Sequence, residues 1–234
     1  MLEERISDLG VNWHSSENAA AQAQLVAGYI VRTLAMAIKQ RGQASLALSG
    51  GSGPVLLLQC LEQAQLEWEK VIITQVDERW VPPTDEQSNA GLIQRCMPGV
   101  LQRARWSPLY QGMGLQEDAQ QAEAKLKALI PLDIVVLGMG PDGHTASLFP
   151  QMPELNGWLN PAGSALCVAV PAQGERLARL SMTARAIQTA REQILLICGE
   201  QKRQALAAAV TLNDPAIMPI AAFLKPPLDV YYSP

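Results

Sequence analysis

Histidine is the side chain best suited to exchange a proton near neutral pH, and this chain of 234 residues contains only two. His144 ends the segment GMGPDGH, where glycines surround it and Asp142 lies two residues before it. A neighbouring carboxylate can orient an imidazole and stabilise its charged form. We therefore predict that His144 is a general base, with a purely structural imidazole as the alternative. His14 precedes the first predicted helix, and we expect a surface or capping residue there.

Two carboxylates are candidates for orienting His144, and the sequence does not decide between them. Asp142 is close in sequence, and Asp77 begins the segment DERW after another apolar run. A metal site is disfavoured because a zinc site normally takes a second histidine at helical or loop spacing, which His144 lacks. A covalent serine mechanism is disfavoured because the segment G-x-S-x-G is absent.

A glycine-containing loop follows the apolar run ASLAL and precedes Pro54, which suits the first position of a helix. Glycines let backbone N–H groups approach an anion, and the following helix directs its positive end there, which favours phosphate. A tight connection is the alternative. The loop lacks the Gly-Lys-Ser/Thr ending of a P-loop and the G-x-G-x-x-G of a dinucleotide fold, so nucleotides are disfavoured. The predicted ligand-binding residues of this loop are Ser49, Gly50, Gly51 and Ser52.

Three cationic side chains fall at or near predicted strand ends and could bind an anionic ligand: Arg79, Arg179 and Lys202. The alternative for these side chains is simple solvation, or a structural salt bridge for Arg79, which follows two acids. Backbone N–H groups of the glycine turns, including that of Gly143, are candidate donors to a carbonyl oxygen that gains negative charge.

The predicted elements bring these polar clusters together. A long opening helix is expected from about residue 17 to 39, and the segments ASLALS, VIITQV, LDIVVLG, ALCVAV, ARLSMT and ILLICG are predicted strands. Helical patterns follow in VLLLQCLEQA, in TASLF and from about residue 201 to 210. Strands apolar at every position are typical of parallel sheets, so the fold class is α/β, a doubly wound, mainly parallel sheet with helices on both faces. Ligands bind such sheets beyond the carboxyl ends of the strands, where the polar clusters lie.

Composition limits the remaining possibilities. The chain is 48% hydrophobic and 17% charged with net charge −4, which predicts a folded globular protein and disfavours nucleic-acid binding. No apolar stretch approaches the roughly 20 residues of a membrane span, and the N-terminus does not resemble a signal peptide. Four widely spaced cysteines favour reduced thiols and a cytoplasmic location. Without a linker or repeat, residues 1–234 are predicted to form a single domain, either a monomer or a small homo-oligomer.

Between about residues 45 and 204, five segments resemble the short bacterial type of the 6-phosphogluconolactonase family, in the superfamily of glucosamine-6-phosphate deaminase: LSGGSGP, VDERWVPPTDEQSNAGL, LGMGPDGHTASLFP, RLSMT and GEQK. The resemblance implies a modified Rossmann-like sheet and hydrolysis of 6-phospho-D-glucono-1,5-lactone to 6-phospho-D-gluconate in the pentose phosphate pathway. It implies no cofactor, a phosphorylated sugar lactone as the small-molecule partner, His144 as the base, and phosphate binding by the glycine loop, the arginines and Lys202.

Some residues depart from the family pattern, and two other functions remain as alternatives. Gly53 stands where the family usually has threonine, and Arg185 and Gln188 stand where it has proline and asparagine, which affects details of the site wall. The first alternative is a sugar-phosphate isomerase or deaminase, but Phe149 occupies the segment in which the deaminases carry a catalytic glutamate. The second is a non-catalytic sugar-phosphate sensor, for which the chain shows no DNA-binding module before the sheet.

Overall fold

The computed structural model describes residues 1–234, which form ten strands, nine α-helices and two short 3₁₀ helices. The strands are β1 (Asn12–Ser15), β2 (Ala44–Leu48), β3 (Val71–Gln75), β4 (Asp77–Arg79), β5 (Arg105–Trp106), β6 (Ile134–Leu137), β7 (Cys167–Val170), β8 (Arg179–Met182), β9 (Glu192–Cys198) and β10 (Leu228–Ser233). The α-helices are α1 (Leu2–Asp8), α2 (Ala19–Arg41), α3 (Val55–Glu62), α4 (Asn89–Cys96), α5 (Pro98–Arg103), α6 (Leu115–Leu129), α7 (Leu155–Leu159), α8 (Ala184–Gln188) and α9 (Glu200–Leu212).

Seven strands form one parallel sheet in the order β1-β10-β9-β6-β2-β3-β5. Every residue of β2, β3 and β6 is buried, as expected for strands covered on both faces. Successive side chains point to opposite faces, so Leu46 and Leu48 pack in the core with α2 and α3, whereas Ala47 packs in the core with α6 and α9. The predicted α/β class with helices on both faces is confirmed.

The N-terminal region differs from the prediction of a long opening helix, because α1 and β1 precede α2. β1 lies at the sheet edge beside β10, a strand that the sequence pattern missed because Asp229 interrupts its apolar run. His14 therefore lies in a strand and caps no helix. Asn18 caps α2, since its side chain accepts the backbone N–H of Ala21 at 2.9 Å.

The long helix α2 has the length and composition of a membrane-crossing segment. Its residues Val26, Ile30 and Leu34 are fully buried within the protein, in the core that also contains α3 and the sheet. This arrangement is typical of a core helix of an α/β fold.

Two segments predicted as strands of the main sheet, ALCVAV and RLSMT, lie in a separate sheet together with DERW, the polar segment after the strand VIITQV. DERW, RLSMT and ALCVAV supply β4, β8 and β7, which pair antiparallel in the order β4-β8-β7. The segment between β7 and β8 is too short for the crossover that parallel pairing requires, and a bridge between Gln173 and Arg176 closes it as a hairpin. The prediction that ALCVAV and RLSMT continue the parallel sheet is wrong, and the small sheet places Arg79 and Arg179 opposite each other.

The segment TASLF, predicted as helix-like, forms turns. Its polar residues bond to groups outside the segment: the hydroxyl of Thr145 donates to the carbonyl of Gly138 at 2.8 Å, and that of Ser147 donates to Asp77 at 2.5 Å. Ala146 adopts a left-handed conformation with φ 50°, which interrupts any helix. Side-chain hydrogen bonds of this kind compete with helix formation.

Candidate active site

A cavity of about 210 Å³ opens at the carboxyl ends of β2 and β6, where the Rossmann-like topology places ligand sites. Most of the predicted site residues line it: Ser49, Gly50, Gly51, Ser52, Asp77, Arg79, His144, Arg179 and Lys202. Asp142 and Gly143 do not line it. The structure thus brings together residues that are up to 153 positions apart in the chain, from Ser49 to Lys202.

His144 is held by the turn that follows β6. Its Nδ1 lies 2.5 Å from Oδ1 of Asp142, which also accepts the His144 backbone N–H at 3.2 Å. The turn has no room for a side chain at Gly140, because a Cβ there would overlap the imidazole. Since Nδ1 binds the carboxylate and no group of the protein binds Nε2, the second ring nitrogen is available to a ligand.

Asp142 is an ionised partner for this imidazole. Burial acts to raise the pKa of its carboxyl, but the hydrogen bond and charge of His144 act more strongly together, and the pKa lies below its usual value. Its side chain is 46% exposed, so the pair lies at the rim of the cavity. This geometry favours Asp142 over Asp77 as the residue that orients His144.

Gly143 has a structural position within the same turn. Its φ of 77° is in the left-handed region that favours glycine, and a Cβ there would lie 2.8 Å from Met218. Its N–H donates to the carbonyl of Gly140 at 3.1 Å, and its carbonyl accepts the N–H of Ile220 at 2.9 Å. The N–H that we expected to face a ligand is therefore committed to the turn.

Asp77 connects several site residues and makes no hydrogen bond to the imidazole. One carboxylate oxygen accepts the hydroxyl of Ser147 at 2.5 Å and lies 3.6 Å from Arg179 Nη1, and the other accepts the amide of Asn89 at 3.2 Å. Burial lowers the pKa of the Arg179 guanidinium, and Asp77 partly opposes this effect. Asp77 thus holds the cavity wall in place.

Asn89 is a cavity residue that the sequence analysis missed. It lies in the first turn of α4, where its carbonyl oxygen accepts Arg79 Nη1 and its amide donates to the Asp77 carbonyl at 2.9 Å. Its carboxamide also packs so closely on Gly50 that a Cβ at Gly50 would overlap it. The signal in the sequence is the dipeptide Ser-Asn at a helix start, which also fits an ordinary N-cap.

Glu78 supports the cavity wall formed by Arg79 and Asn89 from the protein interior. It is fully buried, and burial raises the pKa of its carboxyl despite the donors around it. Buried carboxylates are costly unless hydrogen-bonded, and five donors surround this one. They are the side chains of Gln75 and Ser88 and the backbone N–H groups of Arg79, Asn89 and Ala90.

The glycine loop offers unused donors to the cavity. The backbone N–H groups of residues 50–53 donate to no group of the protein, and they precede α3. Gly51 has φ 84°, a conformation that favours glycine. Together with Arg79, Arg179 and Lys202, these donors form a surface suited to an anion, and His144 lines the same cavity. No cluster of three or more His, Cys, Asp or Glu side chains in residues 1–234 could hold a metal ion.

The fold and the site define an α/β protein with a Rossmann-like parallel sheet and, beyond its carboxyl edge, a cavity lined by three cationic side chains and a glycine loop. The chain belongs to the family described as glucosamine-6-phosphate isomerases/6-phosphogluconolactonase, whose sequence profile matches residues 17–231.

Relatives of known name are similar over nearly the whole chain. The 6-phosphogluconolactonase of Pseudomonas aeruginosa is 39% identical, covering 96% of each chain, and that of Rhizobium meliloti is 40% identical, covering 97% of this chain and 100% of the relative. The crystal structure of a 6-phosphogluconolactonase from Shewanella baltica has a TM-score of 0.88 and 35% identity over 96% of this chain and 98% of that one. A monomeric glucosamine-6-phosphate deaminase, 17% identical with a TM-score of 0.76, shares the fold.

Proposed function

We propose that this chain hydrolyses 6-phospho-D-glucono-1,5-lactone to 6-phospho-D-gluconate, the lactonase step of the oxidative pentose phosphate pathway. The observation that carries the proposal is one cavity in which His144, held by Asp142, faces the free N–H groups of the glycine loop and three cations. Relatives that carry the name 6-phosphogluconolactonase match the chain from end to end, which supports the same substrate. Residues 1–234 would act as a single unit in the cytoplasm.

His144 would act first as a general base and then as a general acid. Its Nε2 takes a proton from water, and the resulting hydroxide adds to C1 of the lactone to form a tetrahedral intermediate. When the bond between C1 and the ring oxygen breaks, the imidazolium returns the proton to that oxygen. Water is the only co-reactant, so the step calls for no redox or group-transfer cofactor.

Asp142 would keep the imidazole in the tautomer that the base requires. A carboxylate that accepts the Nδ1 proton leaves the lone pair on Nε2 and stabilises the imidazolium formed in the first step. The 2.5 Å contact supports this role for Asp142. We assign Asp77 a supporting role instead, because its partners are Ser147, Asn89 and Arg179.

The glycine loop and the cations would bind the phosphate and thereby place C1 near His144. Four free N–H groups and the side chains of Arg79, Arg179 and Lys202 suit a phosphate dianion. Binding energy from this remote group positions the reacting carbonyl, which is how an enzyme reduces the entropic part of the barrier. Donors for the developing oxyanion would be N–H groups of the glycine turns that do not bind the phosphate, with Gly140 and Gly143 excluded because their N–H groups already donate within the turn.

The decisive assay follows freshly generated lactone and subtracts the spontaneous rate, because this ester also hydrolyses without an enzyme. We expect an excess rate proportional to protein concentration and a much smaller excess with the unphosphorylated lactone. Equal excess rates on both lactones would contradict the phosphate assignment. No excess rate, or release of ammonia from glucosamine 6-phosphate, would contradict the proposed reaction.

A further inference from the structure

Phe149 contacts the proposed base from inside the protein. Its side chain is only 6% exposed and does not line the cavity, and its ring centroid lies 4.5 Å from that of His144 at an interplanar angle of 40°. The imidazole is therefore restrained at Nδ1 by Asp142 and along its side by an aromatic ring.

The same phenyl ring binds a cation from the hairpin between β7 and β8. The Arg176 guanidinium carbon lies 4.0 Å from the ring centroid, and that of Arg179 lies 5.3 Å away. Arg176 has no carboxylate partner, and its one side-chain hydrogen bond is to Gln173 in its own hairpin. The buried Nε of Arg176 has no hydrogen-bond partner. The cation–π contact with Phe149 is therefore the main interaction of the Arg176 side chain outside its own hairpin.

We propose that Phe149 is a positioning residue for His144 and that Arg176 holds Phe149 in place through a cation–π contact. This inference rests on the proposed function of His144 as the base. Asp142 lies at the rim of the cavity and hydrogen-bonds only one nitrogen of the ring. The imidazole can therefore still tilt unless another side chain packs against it.

Arg176 acts on the base only through the phenyl ring. It does not line the cavity, unlike Arg179, and its single polar contact points back to its own hairpin. Changes at Arg176 should therefore alter how well His144 is placed and leave substrate binding intact.

The first test observes the two imidazoles directly by NMR. With only two histidines in the chain, His14 serves as an internal reference in ¹H–¹⁵N spectra of the imidazole rings. Phe149→Leu should shift the His144 ring signals through loss of the phenyl ring current and move its ¹⁵N signals toward a mixture of tautomers. The His14 signals should not move. Unchanged His144 signals in folded Phe149→Leu protein would overturn the proposal.

Phe223→Leu is the matched control, because Phe223 is the only other phenylalanine, is fully buried in the same core cluster and makes no aromatic contact with either histidine. Equal changes at His144 in both variants would mean that general loosening of the core is responsible, and would overturn the proposal. If Phe149→Leu fails to fold, Arg176→Gln in the hairpin serves the same purpose with a smaller displacement of the His144 signals.

The second test separates positioning from binding by kinetics. Phe149→Leu should lower kcat by roughly 10- to 10²-fold, the scale of a misplaced catalytic group, with KM within about twofold of wild type. Arg176→Gln should lower kcat by about two- to fivefold, the worth of one cation–π contact, and Arg176→Lys should restore most of it. A rise in KM at unchanged kcat in either variant would instead make these side chains part of substrate binding and would overturn the proposal.

The two tests also distinguish failure of this inference from failure of the proposed function. The NMR test needs no substrate, so it stands even if the wild-type protein shows no lactonase activity. If the protein is an active lactonase and Phe149→Leu leaves both the His144 signals and kcat unchanged, only the positioning role is wrong.

Discussion

The two histidines of this chain have neighbours of the same kinds but occupy opposite situations in the fold. His14 lies in the edge strand β1, where its Nε2 is 3.1 Å from Asp229 and its ring stacks on Tyr231 at 4.4 Å. His144 also has a carboxylate and an aromatic ring beside it, at 2.5 Å and 4.5 Å. A carboxylate and an aromatic neighbour are common to both histidines, so these contacts alone do not distinguish a base from a structural imidazole.

What separates the two is the ring nitrogen that stays free and what that nitrogen faces. In His14 the carboxylate takes Nε2, the outer nitrogen, and the ring lies away from the cavity. In His144 the carboxylate takes Nδ1, so Nε2 is left for water or substrate in a cavity that also carries cations and free N–H groups. Variants at each histidine and its neighbours test whether this difference decides activity.

The largest expected effect comes from removing each imidazole in turn. His144→Ala should lower kcat by about 10²- to 10⁴-fold, the usual contribution of a general base, while product affinity changes little. His14→Ala should keep kcat within about twofold of wild type, because no part of His14 reaches the cavity. Initial rates on the phosphorylated lactone measure both. Comparable losses of kcat in the two variants, or near-wild-type activity in His144→Ala, would contradict the claim that the cavity position of His144 distinguishes it from His14.

A second change displaces the imidazole without removing it. A Cβ at Gly140 would overlap the His144 ring and would lie 2.7 Å from Asp142, so Gly140→Ala must move one or both. We expect kcat to fall by roughly 10²-fold, as for other small misplacements of catalytic groups. Gly157→Ala is the control, since a Cβ at Gly157 meets nothing within 4 Å and Gly157 lies in α7 outside the cavity. A Gly140→Ala variant with wild-type kcat would contradict this prediction, because it would show that displacing the His144 ring does not impair activity.

The third change replaces the carboxylate beside each histidine, Asp142 beside His144 and Asp229 beside His14, with an amide. Asp142→Asn can no longer hold the Nδ1 proton by charge, and we expect kcat to fall by about 10-fold, less than for a fully buried orienting carboxylate because Asp142 is at the rim. Asp229→Asn should leave kcat unchanged. If the loss follows Asp229 instead, or if Asp77→Asn mimics Asp142→Asn in the His144 NMR signals, our assignment of the orienting carboxylate is wrong.

Much of this site could be predicted from the sequence because its residues sit in short contiguous segments after apolar runs. GMGPDGH and LSGGSG place His144 and the glycine loop at the ends of strands, and the parallel sheet then makes them neighbours. Asn89 could not be predicted in the same way, because its role depends on packing against Gly50, 39 residues away.

The errors in the fold prediction share a physical cause. Apolar runs indicate strands but do not indicate which strands pair. The sequence pattern therefore predicts RLSMT and ALCVAV as strands of the parallel sheet, whereas the short connection between them makes the pair antiparallel. TASLF contains the helix formers alanine and leucine, yet its Thr145 and Ser147 hydroxyls bond to groups outside the segment. Strand pairing and side-chain hydrogen bonds decided these cases, and the spacing of apolar residues contains neither.

A smaller effect concerns acid stability at the active-site pair. Because the pKa of Asp142 is lowered in the folded protein, its ionised form stabilises the fold above about pH 4, and that contribution is lost as the pH falls further. The Tm difference between wild type and Asp142→Asn should therefore be present at pH 6 to 7 and shrink in acid. In a His144→Ala background the same difference should be reduced at all pH values. A Tm difference that grows in acid would have the wrong sign for this pair.

The smallest effect is expected at His14, whose contact with Asp229 should contribute to the stability of the fold and not to activity. The contact with Asp229 joins β1 to β10 across 215 positions in the chain, but the His14 side chain is 37% exposed and the Asp229 side chain 19%. His14→Ala removes both the hydrogen bond to Asp229 and the stacking on Tyr231, each worth about 1 kcal/mol, so it should lower the free energy of unfolding by roughly 1 to 2 kcal/mol. Urea denaturation measures it. A much larger loss would mean that the edge strand depends on this imidazole, whereas a matching loss of kcat in fully folded His14→Ala protein would show that the two histidine regions are coupled.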